Sequence, residues 1–421
     1  MKEIVSSKNL CGLLTDLPRL IDKRLINHGD RVAYILSCML MCRGGLEDFE
    51  IAEYALLAEL HDIGALAVEK SGDMLKFENM NPMPHSIYGY LFLKYISPMG
   101  ETAKIIMYSH VDWQTLKGIK FDLKDISNFL NLAGRIDLFH NTLRSKFDHR
   151  KLRTYENTKY SKETLDLFDS ANAKYDIFAN LESGEYKKKL DQLYNALLFS
   201  DEEKEKYLEV LLYYSEFKSD ETVINTVTSI TLVKEIAKKL GGFNEWDMRV
   251  LHYGALLHDI GMFTVPMDIL TAPRALTPEE LATMRRHVEL ASNLMEKHKI
   301  DPEVLSIVSK HHERIDGSGY PNRLLAKDLS KSDRIMQVAD TVTSLISKRS
   351  YRKPKPKDAV IAILSDEVNH NKFDRPIVKA LIDNYDEIVH KSEHEAEIML
   401  KNVSKLNSQY AAVSTALVGK K

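Results

Sequence analysis

The chain has 421 residues, 44% hydrophobic and 28% charged, with a formal net charge of −3. That length exceeds one ordinary core and predicts two domains, and the composition excludes a disordered chain. The near-neutral charge gives no general attraction to DNA or to an anionic membrane. The longest apolar stretch, Val32 to Cys42, is about half of the ~20 residues that cross a bilayer. Met1-Lys2-Glu3-Ile4-Val5-Ser6-Ser7 has no apolar signal region, so a cytoplasmic location is expected.

Helical patterning dominates and strand-like alternation is scarce, so the chain reads as all-α. In the first half, Cys38 and Cys42 lie four apart on an apolar segment and share a helix face. With Cys11 they are expected as buried free thiols in a reducing compartment. Ala58-Glu59-Leu60-His61-Asp62-Ile63-Gly64 follows, then His85, His110 and Asp137. The basic runs Arg144 to Arg153 and Lys187 to Lys189 read as solvated faces. Residues 145 to 215 read as a helical connector, within which Ser200-Asp201-Glu202-Glu203 is a capping box that opens a helix running through Tyr214.

In the second half Ala255-Leu256-Leu257-His258-Asp259-Ile260-Gly261 repeats the earlier His-Asp run at an offset of 197 positions. His28 lands on Asn225 at that offset. His85, His110 and Asp137 fall near His287, His312 and Asp340 with small insertions. Two homologous helical modules are therefore expected, one at residues 1–200 and one at 201–410, their helices joined by the connector. Thr277-Pro278-Glu279-Glu280 and Asp301-Pro302-Glu303 are further helix starts. The Pro354/Pro356 pair predicts an extended loop before a helix that begins at Asp358.

The densest chemistry lies in His311-His312-Glu313-Arg314 and Asp316-Gly317-Ser318-Gly319-Tyr320-Pro321. Neutral imidazoles bind transition metals, and a Gly-rich turn lets backbone approach a phosphate-bearing ligand. Glu221, His258, Asp259, His287, His311, His312 and Asp340 offer donors for two cations, and a carboxylate such as Asp259 can bridge them. His258, Asp259 and His287 are the expected catalytic residues. A lone helical histidine is usually structural or surface, and His252 and His298 read that way. Imidazole and carboxylate without cysteine favour iron or manganese, with zinc and nickel also accepted by such donors.

Residues 216–400 resemble the HD-GYP family of cyclic-dinucleotide phosphodiesterases, within the HD metallohydrolase superfamily. The resemblance rests on His258-Asp259-Ile260-Gly261, His287, the His311 to Pro321 block and Val338-Ala339-Asp340. It implies a two- or three-metal centre that linearises cyclic di-GMP or a relative such as 3′,3′-cyclic GMP-AMP, with mononucleotides a further product class. It also implies substrate contacts from Arg314, Gly319, Tyr320, Pro321, Arg349 and Arg352. Two positions depart from the family pattern. Asn225 stands where a histidine is usual, favouring two metals over three. Met262 replaces a lysine, removing a cation that would assist a phosphate.

The first module keeps His28, His61, Asp62, His85, His110 and Asp137, but Arg24 aligns with Glu221 and Ser109 with the first of the paired histidines. A degenerate HD module with a regulatory or dimerising role is expected, and a homodimer through this module or the connector is compatible with it. The competing readings are a protein that binds a cyclic dinucleotide without turnover, and an HD phosphohydrolase acting on another nucleotide.

Overall fold

The computed structural model describes residues 2–21, 27–65, 83–143, 147–216, 220–347 and 353–418. Among them the secondary structure is helical and no strand forms. Two compact units are present, one of Leu10–Val210 with Lys405–Lys421 and one of Met1–Asn9 with Leu211–Ser404. Each draws a short segment from the far end of the chain, which a single division near residue 200 does not contain.

The amino-terminal unit is built from α1 (Ser7–Ile21), α2 (His28–Arg43), α3 (Asp48–Glu59), α4 (Met83–Ile96), α5 (Lys124–Leu143), α6 (Lys162–Tyr175), α7 (Ile177–Ser183), α8 (Glu185–Leu193) and most of α9 (Asp201–Glu216). Helix α2 packs against α3, α5, α6 and α8. Every residue from Val32 to Leu40 is buried, because a helix covered on all sides needs no polar stripe. Cys11 and Cys38 are buried, Cys42 is partly so, and all three are free. Burial pushes the Cys38 thiol up to about 12, which leaves it unreactive. The predicted cap on α9 is present: Ser200 Oγ accepts the Glu203 N–H at 3.2 Å, and the Glu203 carboxylate accepts the Ser200 N–H at 2.8 Å.

The carboxy-terminal unit contains α10 (Asp220–Leu240), α11 (Glu245–Leu257), α12 (Pro278–Arg285), α13 (His287–Lys297), α14 (Pro302–Lys310), α15 (Lys331–Ile346), α16 (Lys357–Asn369), α17 (Arg375–Asp383) and the first part of α18 (Tyr385–Val418). Helix α10 packs on α11, α15 and α17, and α14 packs on α11 and α13. A buried hydroxyl pair, Ser229 with Thr343 at 3.0 Å, joins α10 to α15. Thr277 caps α12 in a reciprocal box with Glu280, and the Asp301 side chain caps α14. Residues 353–356 are non-helical and α16 starts at Lys357. These caps fix where α12 and α14 start, and the site is assembled at the ends of α11 and α14 and the start of α13.

Candidate metal centre

Three histidines of the carboxy-terminal cluster, His258, His287 and His311, sit at helix boundaries, where a carbonyl three residues back takes a hydrogen bond from the ring. His258 Nδ1 lies 2.8 Å from Ala255 O, His287 Nδ1 is 2.8 Å from Met284 O, and His311 Nδ1 is 2.7 Å from Val308 O. A carbonyl can only accept, so each Nδ1 carries the proton, and in the neutral ring Nε2 turns its lone pair to the interior. The Nε2 atoms of His287 and His311 then face each other at 3.1 Å. Two lone pairs at that distance repel unless a cation lies beside them. His287, His311 and His312 present nitrogens within 4.8 Å of one another, a grouping suited to a metal ion.

Asp259 links the cluster. Its Oδ2 is 3.2 Å from His258 Nε2, and its Oδ1 is 3.4 Å from His287 Nε2 and 3.9 Å from His311 Nε2. His312 Nδ1 lies 3.4 Å from Asp340 Oδ2. His258, His287 and His311 are buried. The side chains of Asp259, His312 and Asp340 remain 24%, 20% and 18% exposed. The cluster therefore has a closed floor and an open mouth.

Electrostatics follows that layout. Burial alone lowers His258, but the carboxylates of Asp259 and Asp340 override it and push the imidazole up to about 9. Asp259 loses to burial as well, yet the surrounding imidazoles, His258 foremost, hold it well below the usual carboxylate range. Burial and neighbouring imidazoles hold His311 and His312 well below the ordinary histidine value. Burial raises Asp340. Neutral His311 and His312 beside an ionised Asp259 are in the states that a divalent cation requires, whereas His258 has to give up a proton to it.

The loop after His312 is organised by a residue with no assigned role in the sequence. Glu313 is fully buried, and its carboxylate accepts the N–H groups of Asn322 at 2.6 Å and Leu324 at 2.9 Å. The Tyr320 N–H donates to the His312 carbonyl at 3.2 Å. The Tyr320 ring stacks on His312 with centroids 4.7 Å apart, and the Arg285 guanidinium lies 4.8 Å from the Tyr320 ring centroid. The Tyr320–Pro321 peptide is cis. A Cβ at Gly319 would lie 2.4 Å from Glu313 Cα and 2.5 Å from Arg314 N. That glycine is thus needed for the loop to fold onto its own backbone, which accounts for it without a phosphate ligand. A Cβ at Gly261 would lie 2.0 Å from the His287 carbonyl oxygen, so the His-Asp turn can seat on the start of α13 only as glycine.

The remaining expected residues fall as follows. Arg314 packs over Phe373 at 4.8 Å, donates to the Glu313 carbonyl at 2.8 Å and lies 3.3 Å from Thr341 Oγ1. Glu221 is in the first turn of α10 with its side chain outside the described residues, and Arg24, Arg349 and Arg352 also lie outside them. Asn225 is one turn beyond Glu221, and its Oδ1 is buried without a hydrogen-bond partner among the described residues.

In the amino-terminal unit His61 repeats the same device, with Nδ1 2.7 Å from Ala58 O. Gly64 repeats the seat, since a Cβ there would lie 2.2 Å from the His85 carbonyl oxygen. Asp137 differs from Asp340. It is buried and bonded to His28 Nδ1 at 2.6 Å, to Asn141 Nδ2 at 2.7 Å and to the Arg31 guanidinium. Nearby, Arg19 pairs with Asp16, Asp30 and Glu59.

Residues 212–377 match the family model for the HD domain. With the His311 to Pro321 block in place, this part of the chain is similar to HD domains of the HD-GYP type, whose phosphodiesterases are metal-dependent. Similarity extends further along the chain. The 3′3′-cGAMP-specific phosphodiesterase 1 of Vibrio cholerae is 24% identical over 380 residues, 85% of this chain and 87% of that relative. The cyclic di-GMP phosphodiesterase of Thermotoga maritima is 36% identical over 151 residues, 35% of this chain, and the match spans only 41% of that relative. The crystal structure of a cyclic GMP-AMP-specific phosphodiesterase of Vibrio cholerae superposes with a TM-score of 0.58, covering 91% of this chain and 98% of that one at 18% identity. At that identity the likeness is one of fold, and it agrees with the all-α architecture.

Proposed function

We propose that the carboxy-terminal unit hydrolyses a 3′–5′ phosphodiester bond of a bacterial cyclic dinucleotide, giving the linear dinucleotide. The observation that carries this reading is the facing pair of Nε2 atoms of His287 and His311, 3.1 Å apart beside Asp259. Such donors fit divalent transition metals, and we assign His258, Asp259, His287, His311, His312 and Asp340 to two ions, with Glu221 joining them on sequence grounds. Iron or manganese suits this imidazole and carboxylate set. Bound there, the ions would supply an activated water and neutralise charge developing on the phosphoryl oxygens.

The chain's own groups prepare that chemistry. The two oxygens of Asp259 face different imidazoles, so this carboxylate can serve both ions. The buried floor keeps His258, His287 and His311 in one tautomer, while the mouth formed by Asp259, His312 and Asp340 admits a phosphodiester. Tyr320 fixes the His312 ring by stacking. A cyclic dinucleotide carries a second phosphate away from the metals, and Arg349 and Arg352 are the proposed cations for it.

Substrate preference is proposed from the relative that spans most of both units, which is named for 3′3′-cGAMP. Metal-replete protein should be incubated separately with 3′,3′-cyclic GMP-AMP and cyclic di-GMP, and the products resolved by chromatography. Linear GMP-AMP formed faster than linear di-GMP supports the assignment. Tight binding of both with no turnover would instead identify a non-hydrolysing receptor.

A further inference from the structure

The carboxy-terminal cluster has a counterpart in the amino-terminal unit that no function has been given. His28 starts α2, His61 and Asp62 form the turn after α3, His85 lies in α4, and His110 lies in the turn after the short helix Lys104–Met107. Two groups of donors suited to a metal ion arise there, His28 with His61 and Asp62, and Asp62 with His85 and His110. They share Asp62, and the sharing is resolved by atom. Asp62 Oδ2 lies 3.6 Å from His28 Nε2 and 3.4 Å from His61 Nε2, whereas Oδ1 lies 3.6 Å from His85 Nε2. His85 Nε2 is in turn 3.1 Å from His110 Nε2.

An independent observation points the same way. Asp62 is only 6% exposed, and its Oδ2 is buried with no hydrogen-bond partner among the described residues. An ionised carboxylate oxygen left without a donor in the interior is costly, and a cation between it and the two imidazoles removes that cost. The imidazole donors are also set correctly. His61 gives Nδ1–H to Ala58 O, and His28 gives Nδ1–H to Asp137, so both direct Nε2 toward Asp62. Asp137 is consumed by Arg31, Asn141 and His28 and serves to orient the ring.

We propose that the amino-terminal unit holds its own two-cation centre, bridged by the Asp62 carboxylate, with His28 and His61 on one ion and His85 and His110 on the other. Four imidazoles and one carboxylate favour zinc or ferrous iron over magnesium or calcium. The centre is more enclosed than its carboxy-terminal counterpart, where Asp259 is 24% exposed. Its role is therefore to fasten α2, the α3 turn, α4 and the His110 turn to one another.

The test uses the full chain and zinc alone as the probe. An Asp259→Ala/His312→Ala background removes carboxy-terminal donors, and elemental analysis after zinc loading and desalting should still find about two zinc per chain. Adding the isosteric Asp62→Asn should bring that to near zero, and adding His85→Gln should about halve it. Chelator should lower the melting temperature of the background protein and leave that of the Asp62→Asn triple variant unchanged. A background that binds no zinc while its circular dichroism matches wild type overturns the proposal, as does zinc content indifferent to Asp62→Asn. As a check that needs no background, Asp62→Asn alone should lose about two metals yet keep cyclic-dinucleotide turnover within about threefold. Equal metal content in that single variant and wild type would also overturn it.

Discussion

At the residue scale, Asp259 and Glu313 divide the work between chemistry and architecture. Asp259→Ala removes the carboxylate that touches three imidazoles, so turnover should fall by more than ~100-fold together with bound metal, read by product chromatography and elemental analysis. Undiminished turnover would rule out the bridging role. Glu313→Gln leaves an amide facing two backbone N–H groups, of which its single oxygen can satisfy one. The expected loss is about 2–3 kcal/mol of stability in denaturant melts, with turnover reduced through the Tyr320 loop. His258 also gives the metal-free protein a pH signature. Its folded value of about 9 lies above the ordinary 6.5, so the stabilisation is complete below about pH 6.5 and is lost as pH rises towards 9, on the order of 3 kcal/mol. Metal affinity should run oppositely over that interval, because binding displaces the His258 proton. Melts in chelator and metal titrations between pH 6 and 9 read the two trends.

At the element scale, the helix ends were the most legible part of the sequence. Capping residues announce themselves by local spacing, so Ser200, Thr277 and Asp301 could be placed before any tertiary contact was known. The histidine cluster was legible because its donors come as the adjacent pairs His258-Asp259 and His311-His312. What stayed hidden depends on partners distant in sequence. Asp137 read as the counterpart of Asp340, but Arg31 and His28 claim it, and only the packing of α2 on α5 brings them together. The buried group of Arg19 with Asp30 and Glu59 was hidden likewise. Glycine was half legible: Gly261 and Gly319 stood out, but as close backbone seats. Gly261→Ala should therefore cost at least ~1–3 kcal/mol and displace the His258–Asp259 turn, lowering turnover as well as stability. Gly64→Ala should lower stability similarly and leave carboxy-terminal metal in place. The two variants compared by melting and metal content separate the units' contributions.

At the scale of the whole molecule, each of the two units gathers histidine and aspartate donors, in different arrangements and different surroundings. One opens its cluster to solvent and the other encloses it, which is the physical basis for giving them different work. One feature common to both bears on how such centres endure. The rings of His61, His258, His287 and His311 are oriented by main-chain carbonyls of Ala58, Ala255, Met284 and Val308. Every residue type supplies a carbonyl, so substitutions at these four orienting positions cannot delete the acceptor. Mutational drift that would quickly erase a carboxylate-oriented histidine leaves these untouched for as long as the helix end persists. In the amino-terminal unit this protection reaches His61, whereas His28 depends on the Asp137 carboxylate and so on the persistence of that one side chain.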